Sequence, residues 1–315
     1  MTSTEIIYSL GALLVSAGVL LLARVIYARL EGYNVDEQLT ERDNPAVGTA
    51  MFGFLGGVVA VLAALLATDA AETQTSSGLQ WDLAELAIYG IYAVFMLKFA
   101  GWLNDRFVLR GFDNQKELVD DRNVGVGAVL GGTYLASGLI LAGALSGRVE
   151  PGFLGEGGQW AHFGVEIGLS TVFFLLGQLA IVIYSMVYQM VQKQDMLDAI
   201  ERDYEIDGQT HGGNAAAGMA FGGNILAFSI VLFAGANHDF SGWSYNLMAF
   251  GLAALVGLIL LPLWRLFVDH IMLPDADLAK EIYEDRNVNA ALLETVCMIG
   301  LALIILLVMP EAASA

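Results

Sequence analysis

The sequence predicts an all-α, polytopic membrane protein with about eight transmembrane helices, arranged as four tandem helical hairpins of parallel orientation. Three observations predict this class. Hydrophobic residues make up 57% of the 315 residues and charged residues only 15%, whereas a soluble domain carries about a quarter charged residues. The apolar residues fall in blocks of roughly 20, the length that a helix needs to cross a bilayer core of about 30 Å. The pattern of apolar block and charged loop also recurs along the chain, which indicates a repeat architecture.

Eight apolar blocks are long enough to be transmembrane helices. We expect them at approximately 6–28, 46–68, 83–103, 124–146, 161–190, 215–236, 245–267 and 288–309. Together they take up most of the chain, so we predict one membrane domain over residues 1–315. We expect the first block to be a retained helix, because residues 1–5 contain no Lys or Arg and so lack the positive region of a signal peptide.

An asparagine marks the start of every second block. The four asparagines are Asn44, Asn123, Asn214 and Asn287. The fourth residue after each is Gly in three units and Ala in the last, and the ninth is Gly in three units and Val in the last. We therefore predict four repeats, at approximately 1–75, 76–155, 156–240 and 241–315.

These asparagines have two interpretations. Asn is a strong helix N-cap and Pro suits the first helical position, so Asn44-Pro45 is typical of a helix start. Capping matters in a membrane, because unsatisfied backbone N–H groups are expensive there. Alternatively, the four side chains and the positive ends of their helices converge on one cytoplasmic anion site.

Glycine pairs one helical turn apart follow three of the asparagines. The pairs are Gly53 and Gly57, Gly127 and Gly131, and Gly218 and Gly222. Two small residues on one helix face let backbones approach closely in lipid. We therefore predict that the second, fourth and sixth spans form a tightly packed inner set, whereas the eighth lacks the motif.

The basic residues predict the orientation. With the flanking helix ends included, 13 of the 14 Lys and Arg residues lie on the side of the Asn-ended loops, and only Arg148 lies on the other. An excess of Lys and Arg marks the cytoplasmic side. We therefore expect the Asn-ended loops to be cytoplasmic and both termini to lie outside, so that every hairpin has the same orientation.

Glu294 is the clearest polar residue inside a span. It follows Asn287 by seven residues, a depth of about 10 Å at ~1.5 Å per residue. The three equivalent positions are apolar: Met51, Leu130 and Phe221. Burying a carboxylate is costly, so Glu294 is either a functional residue, or one that forms a helix–helix hydrogen bond or packs in its protonated form. The further polar candidates are Glu166, Gln178 and Asn224.

Two basic residues near the cytoplasmic helix ends, Lys98 and Arg265, are expected to extend to the membrane surface. No metal or cofactor site is predicted, because the four His residues have no paired ligand spacing. The single cysteine, Cys297, cannot form an intrachain disulfide. The net charge of −19 argues against nucleic-acid binding. It fits either a halophilic host or the attraction of cations.

Two stretches carry a resemblance to a known family. Asp-Asn-Pro-Ala-Val-Gly at 43–48 and Asp-Arg-Asn-Val-Gly-Val at 121–126 resemble the bacterial inner-membrane family catalogued as domain of unknown function 350. The third unit departs from it, with a longer loop and His211-Gly-Gly before its asparagine. The resemblance implies a multi-pass plasma-membrane protein linked to envelope stress or polyamine-related gene neighbourhoods, with no catalytic residues to transfer.

Two functions remain open at this point. The first is a non-enzymatic structural or envelope-stress component, because packing motifs dominate the chain and no nucleophile–base pair is visible. The second is an ion channel or small-solute transporter that uses the intramembrane polar residues. The expected partners are the lipid bilayer and either a second copy of the chain or other membrane or cytoplasmic proteins.

Overall fold

The computed structural model describes residues 3–70, 78–111, 113–154, 158–192, 195–206, 209–272, 274 and 276–309. Its helices are α1 (Ser3–Leu30), α2 (Val35–Thr40), α3 (Pro45–Ala70), α4 (Leu79–Leu103), α5 (Asn114–Val119), α6 (Val124–Ser146), α7 (Pro151–Leu154), α8 (Gln159–Val191), α9 (Met196–Glu201), α10 (Ala215–Ala236), α11 (Trp243–Met272), α12 (Leu278–Tyr283) and α13 (Val288–Val308). A π-helical turn, Asn104–Val108, extends α4. The predicted repeat boundaries at 75 and 155 lie outside the described residues.

The predicted all-α membrane class is confirmed. Eight of the described helices are long and apolar enough to cross a membrane: α1, α3, α4, α6, α8, α10, α11 and α13. They correspond in order to the eight predicted spans. The predicted bounds differ from the observed ones mainly where polar residues continue a helix beyond the apolar block, as at the end of α11.

Each of the four repeat units carries a short helix before its second span: α2, α5, α9 and α12. The third unit adds a two-stranded antiparallel hairpin, β1 (Tyr204–Ile206) and β2 (Gln209–His211), between α9 and Asn214. This insertion accounts for the longer loop in that unit. We call the end of the molecule that carries the four short helices the cap end.

A left-handed backbone conformation precedes each of the four asparagines. The residues are Asp43 (φ +46°), Arg122 (φ +51°), Gly213 (φ +57°) and Arg286 (φ +54°). Positive φ is uncommon for residues other than Gly. The four units therefore share one sharp turn from short helix to long helix, although only one of them uses Gly for it.

The spans pack as two rows. In the first row α3 packs on α6, α6 on α10, and α10 on α13, and these are the most extensive contacts between described helices. The second row contains α1, α4, α8 and α11, which contact the first row from one side. Consequently α6 and α10, in the middle of the first row, are the most buried spans, and α1, α11 and α13 are the least.

Candidate functional site

Glu294 lies at the centre of a buried polar cluster where α8, α10, α11 and α13 meet. Its Oε1 accepts hydrogen bonds from Arg265 Nε at 2.9 Å, Asn224 Nδ2 at 2.8 Å and the Tyr188 hydroxyl at 3.1 Å. The side chain of Glu294 is 0% exposed and that of Arg265 is 6% exposed. Three other spans thus converge on one carboxylate oxygen, and we call these four residues the Glu294 cluster.

Neighbouring side chains hold the cluster in place. Asn224 also donates to the Ala220 carbonyl at 2.8 Å and accepts from the Tyr184 hydroxyl at 3.2 Å. The Tyr188 hydroxyl lies 3.3 Å from that of Tyr283 in α12, so the cluster extends to the cap end. Burial, and then the nearby Glu294 charge, raises the pKa of Tyr283 above its ordinary value.

The expected extension of Arg265 to the membrane surface is wrong. Its guanidinium is buried, because Glu294 supplies a counter-charge within the span and the Tyr188 ring lies 5.8 Å from the guanidinium carbon. Lys98 is also paired, with its Nζ 2.6 Å from Glu31 Oε1. Sequence reasoning missed both pairs, since their partners come from other helices.

The other two polar candidates lie apart from Glu294. Gln178 donates to the Ser137 hydroxyl at 3.1 Å, which links α8 to α6. Glu166 accepts a hydrogen bond from the Tyr89 hydroxyl and lines a cavity of about 240 Å³ at the end opposite the cap end. The structure therefore brings Glu294 and Asn224 together, and it does not join the four candidates into one path.

The four cap asparagines link neighbouring repeats. Each Oδ1 accepts a backbone N–H from the first turn of its own helix, at 3.0 Å to Ala46, 3.2 Å to Val126, 3.0 Å to Ala217 and 3.0 Å to Asn289. Three Nδ2 atoms donate to a short-helix carbonyl of the following repeat, at 2.8 Å to Leu118, 2.8 Å to Ile200 and 2.9 Å to Ile282. This use of both side-chain ends fits capping and inter-repeat linkage better than a shared anion site.

In the first, second and fourth units, the Nδ2 of the cap asparagine donates to a side chain of its own unit. The acceptor is the side chain six residues earlier, at 2.8 Å in each case: Gln38, Glu117 and Glu281. A neutral amide and a carboxylate therefore occupy equivalent places. Burial raises the pKa of Glu117, against the opposing effect of the Asn123 hydrogen bond.

We expect Glu117→Gln to stabilise the protein at pH 7, by about 1 kcal/mol or less. Because the folded-state pKa of Glu117 is raised, its contribution to stability is full below the unfolded-state pKa and is lost as the pH rises. The advantage of the variant should therefore shrink toward pH 4. Unfolding in detergent between pH 4 and pH 8 checks this, with the exposed Glu41→Gln as the control. A less stable variant at pH 7 would contradict it.

The paired glycines lie on the contacts within the first row. A methyl group added to any of them would overlap a backbone atom of the adjacent span. The contacts are Gly53 with Gly131, Gly57 with Tyr134, Gly127 with Ala46, Gly131 with Thr49, Gly218 with Gly125, and Gly222 with Ala128. We call this set of backbone contacts between α3, α6 and α10 the glycine seam. Close approach of this kind maximises van der Waals contact where no hydrophobic effect operates.

The seam also follows a positional rule. The ninth residue after each asparagine faces the next repeat, and the eighth faces the preceding one, as in the contacts of Gly53 with Gly131, Gly132 with Gly222, and Gly223 with Thr295. The two positions without such a neighbour are Phe52 and Val296, which are 70% and 61% exposed. Both ends of the row thus carry a large side chain where the interior carries Gly or Thr.

Metal binding finds no support in the described part of the chain, where no group of three or more His, Cys, Asp or Glu side chains could hold an ion. The Glu294 cluster instead offers one carboxylate, one guanidinium, one amide and one phenol. Such a set can bind or transfer a proton or fix helices to one another.

Comparisons with known proteins complete this description. The family model described as Domain of Unknown Function (DUF350) matches residues 1–145 and, a second time, residues 163–309. Each match spans two of the four repeat units, which we call the first and second halves. A protein of Aquifex aeolicus named UPF0719 transmembrane protein is 22% identical over 223 residues, or 70% of this chain and 74% of the relative. No solved structure matches the chain significantly.

Proposed function

Because the chain belongs to the family Domain of Unknown Function (DUF350), we propose its function from its own geometry: it is a non-enzymatic structural component of the bacterial inner membrane. In this proposal the spans form a rigid support, and the cap end faces the cytoplasm and binds partner proteins of the envelope. The orientation rests on the excess of Lys and Arg at that end. A role in envelope stress follows from the family resemblance.

The glycine seam is the observation that carries this proposal. Backbones in contact leave little room for one span to slide or tilt against the next, since interiors packed at this density transmit strain instead of absorbing it. The cap asparagines add hydrogen bonds between successive short helices at the cap end. The result is a fixed row of four similar surfaces, which suits a scaffold better than a machine that alternates between two states.

A transporter is the second candidate, and one observation favours it. Glu294 Oε2 and Arg265 Nη2 are buried and have no hydrogen-bond partner within the described residues. Buried polar atoms nearly always have a partner, so an unsatisfied charged pair invites a water molecule or an extra proton. Such a pair within a span is a common feature of proton and ion pathways.

Ion flux separates the two candidates. We expect purified protein in proteoliposomes to carry H⁺, K⁺ and Na⁺ no faster than protein-free liposomes, whether wild type, Glu294→Gln or the control Glu41→Gln is tested. The structural role predicts this result because a scaffold moves no ion across the membrane. Flux that Glu294→Gln abolishes and Glu41→Gln preserves would overturn it and establish transport.

Site-specific photo-cross-linking in native membranes supplies the positive test. A cross-linking residue is placed at Arg110 or at Asp120, which are both exposed at the cap end. Each position should give a discrete adduct, and the two adducts should have the same mass. A cross-linking residue at Asn237 or Glu150, exposed at the opposite end, should give no adduct. If neither cap-end position gives an adduct, the scaffold proposal is wrong even in the absence of flux.

A further inference from the structure

A cavity of about 290 Å³ lies at the cap end of the first half, where α1 and α4 end and α5 begins. Its walls include the rings of Tyr27, Tyr33, Trp102 and Tyr134. Gly101 lies directly against the Tyr134 hydroxyl, where any larger residue would clash. The volume is at the lower end of the range for small-molecule sites, roughly 300–1,000 Å³.

Charged and polar groups are fixed on these aromatic walls. Lys98 Nζ donates to Glu31 Oε1 at 2.6 Å and lies 4.9 Å from the centre of the Tyr27 ring. The π-helical turn carries Asp105, whose Oδ1 accepts from Asn114 Nδ2 at 2.8 Å. π-Helical turns occur often at functional sites.

Asn114 lines the cavity, and its Oδ1 is buried without a hydrogen-bond partner among the described residues, whereas the Tyr33 hydroxyl interacts with that of Tyr27. The assignment of the Asn114 amide is firm, because its nitrogen must face the carboxylate of Asp105, which only accepts. Burial, and then the Glu31 charge, raises the pKa of Tyr33, so its hydroxyl is retained at neutral pH. An unpaired buried acceptor beside a cavity needs a partner from outside the protein, such as water or a ligand group.

The corresponding region of the second half contains a buried ion pair. Arg265 there lies over Tyr188, as Lys98 lies over Tyr27 in the first half. Seven residues after Asn287, the second half has Glu294, which contacts the guanidinium of Arg265, and the pair is almost fully buried. The first half has Leu130 at that position, and it lines the cavity.

The chemistry of the walls selects a ligand class. Lys98 balances one of the two carboxylates that line the cavity, which leaves one negative charge. Acceptors are available to a ligand that donates hydrogen bonds, since Glu31 and Asp105 each have a second oxygen and Asn114 Oδ1 is unpaired. Electron-rich aromatic faces also favour a cation.

We propose that this cavity binds a primary ammonium group, which donates hydrogen bonds to Asp105 and Asn114 Oδ1 and packs against the tyrosine rings. The ammonium belongs either to a small free amine or to the headgroup of phosphatidylethanolamine, because the cavity lies where the spans end and headgroups begin. This site is independent of the scaffold role, which needs no ligand.

Calorimetric titration of the detergent-solubilised protein with ethanolamine tests the free amine. Ethylene glycol, which has a hydroxyl in place of the ammonium, is the control ligand. A second arm uses nanodiscs of phosphatidylcholine with and without phosphatidylethanolamine, and counts retained lipid by native mass spectrometry. The variants are Asp105→Asn, which keeps an oxygen for the Asn114 bond, Tyr33→Phe, which removes only a hydroxyl group, and Glu41→Gln as the control.

We expect saturable binding of ethanolamine, of phosphatidylethanolamine, or of both, and none of ethylene glycol. Asp105→Asn should weaken it about tenfold, the loss expected for one charge-assisted hydrogen bond. Tyr33→Phe should weaken it several-fold, and Glu41→Gln should leave it unchanged. The proposal is overturned if neither probe binds, if ethylene glycol binds equally well, or if Asp105→Asn and Tyr33→Phe both bind like the wild type.

Discussion

Glu294→Leu is expected to destabilise the protein by about 3–5 kcal/mol. The substitution leaves the Arg265 guanidinium buried in the span without its counter-charge, and it removes the acceptor of Asn224 and Tyr188 as well. Arg265→Met should cost a similar amount, because it leaves the carboxylate buried and unpaired. Each variant is measured by denaturant titration in mixed micelles.

The double variant is the decisive one. Glu294→Leu with Arg265→Met places apolar residues in the same volume, and Leu130 already occupies the equivalent position of the first half. Replacing a buried ion pair by packed apolar residues is often neutral. We therefore expect the double variant to be more stable than either single variant, which requires a coupling energy larger than the loss of about 3–5 kcal/mol in one of them. Additive losses would show that the pair makes no direct contribution.

Gly218→Ala is expected to destabilise the protein by about 1–3 kcal/mol or more. The new methyl group would overlap the carbonyl oxygen of Gly125 on α6, and backbone cannot move aside as a flexible side chain can. The neighbouring spans must separate, and dispersion contacts along α6 and α10 are lost with them. The same titration measures the change.

Gly168→Ala is the matched control for the seam. Gly168 lies within α8, is exposed, and has open space where a methyl group would be added. A helical Gly→Ala change without a clash stabilises by roughly 0.5–1 kcal/mol. The two substitutions are chemically identical, so we expect opposite signs. If both stabilise, the seam is looser than its geometry indicates.

The fold class could be predicted from the sequence because it depends on local properties. A run of about 20 apolar residues must be helical in a bilayer, whatever it packs against. The same applies to the asparagines, which cap a helix through bonds to its first turn. The left-handed turn before them could not be read from single residues, because Arg122 and Arg286 have no intrinsic preference for it, although Asp43 is of a type that adopts it more often.

The site was only partly predictable. Glu294 is recognisable on its own, because a carboxylate far inside a span needs an explanation. Its partner Arg265 looked like a surface anchor, since a position near a helix end is also compatible with extension to the headgroups. Nothing in the sequence places Tyr188 or Asn224 beside it, because the four residues belong to four different helices. The cavity of the first half was missed for the same reason.

The sequence by itself determined the eight apolar helices of the described chain and approximately where they begin, and it predicted four repeat units, because each of these depends on hydropathy and capping within a few turns of chain. The tertiary structure decided which helices are neighbours and what each polar group is paired with. It also explained which residues occupy the eighth and ninth positions after each cap asparagine. Gly or Thr is required there only where another backbone approaches, so Phe52 and Val296 are recognised as the ends of the row only once the neighbours are known.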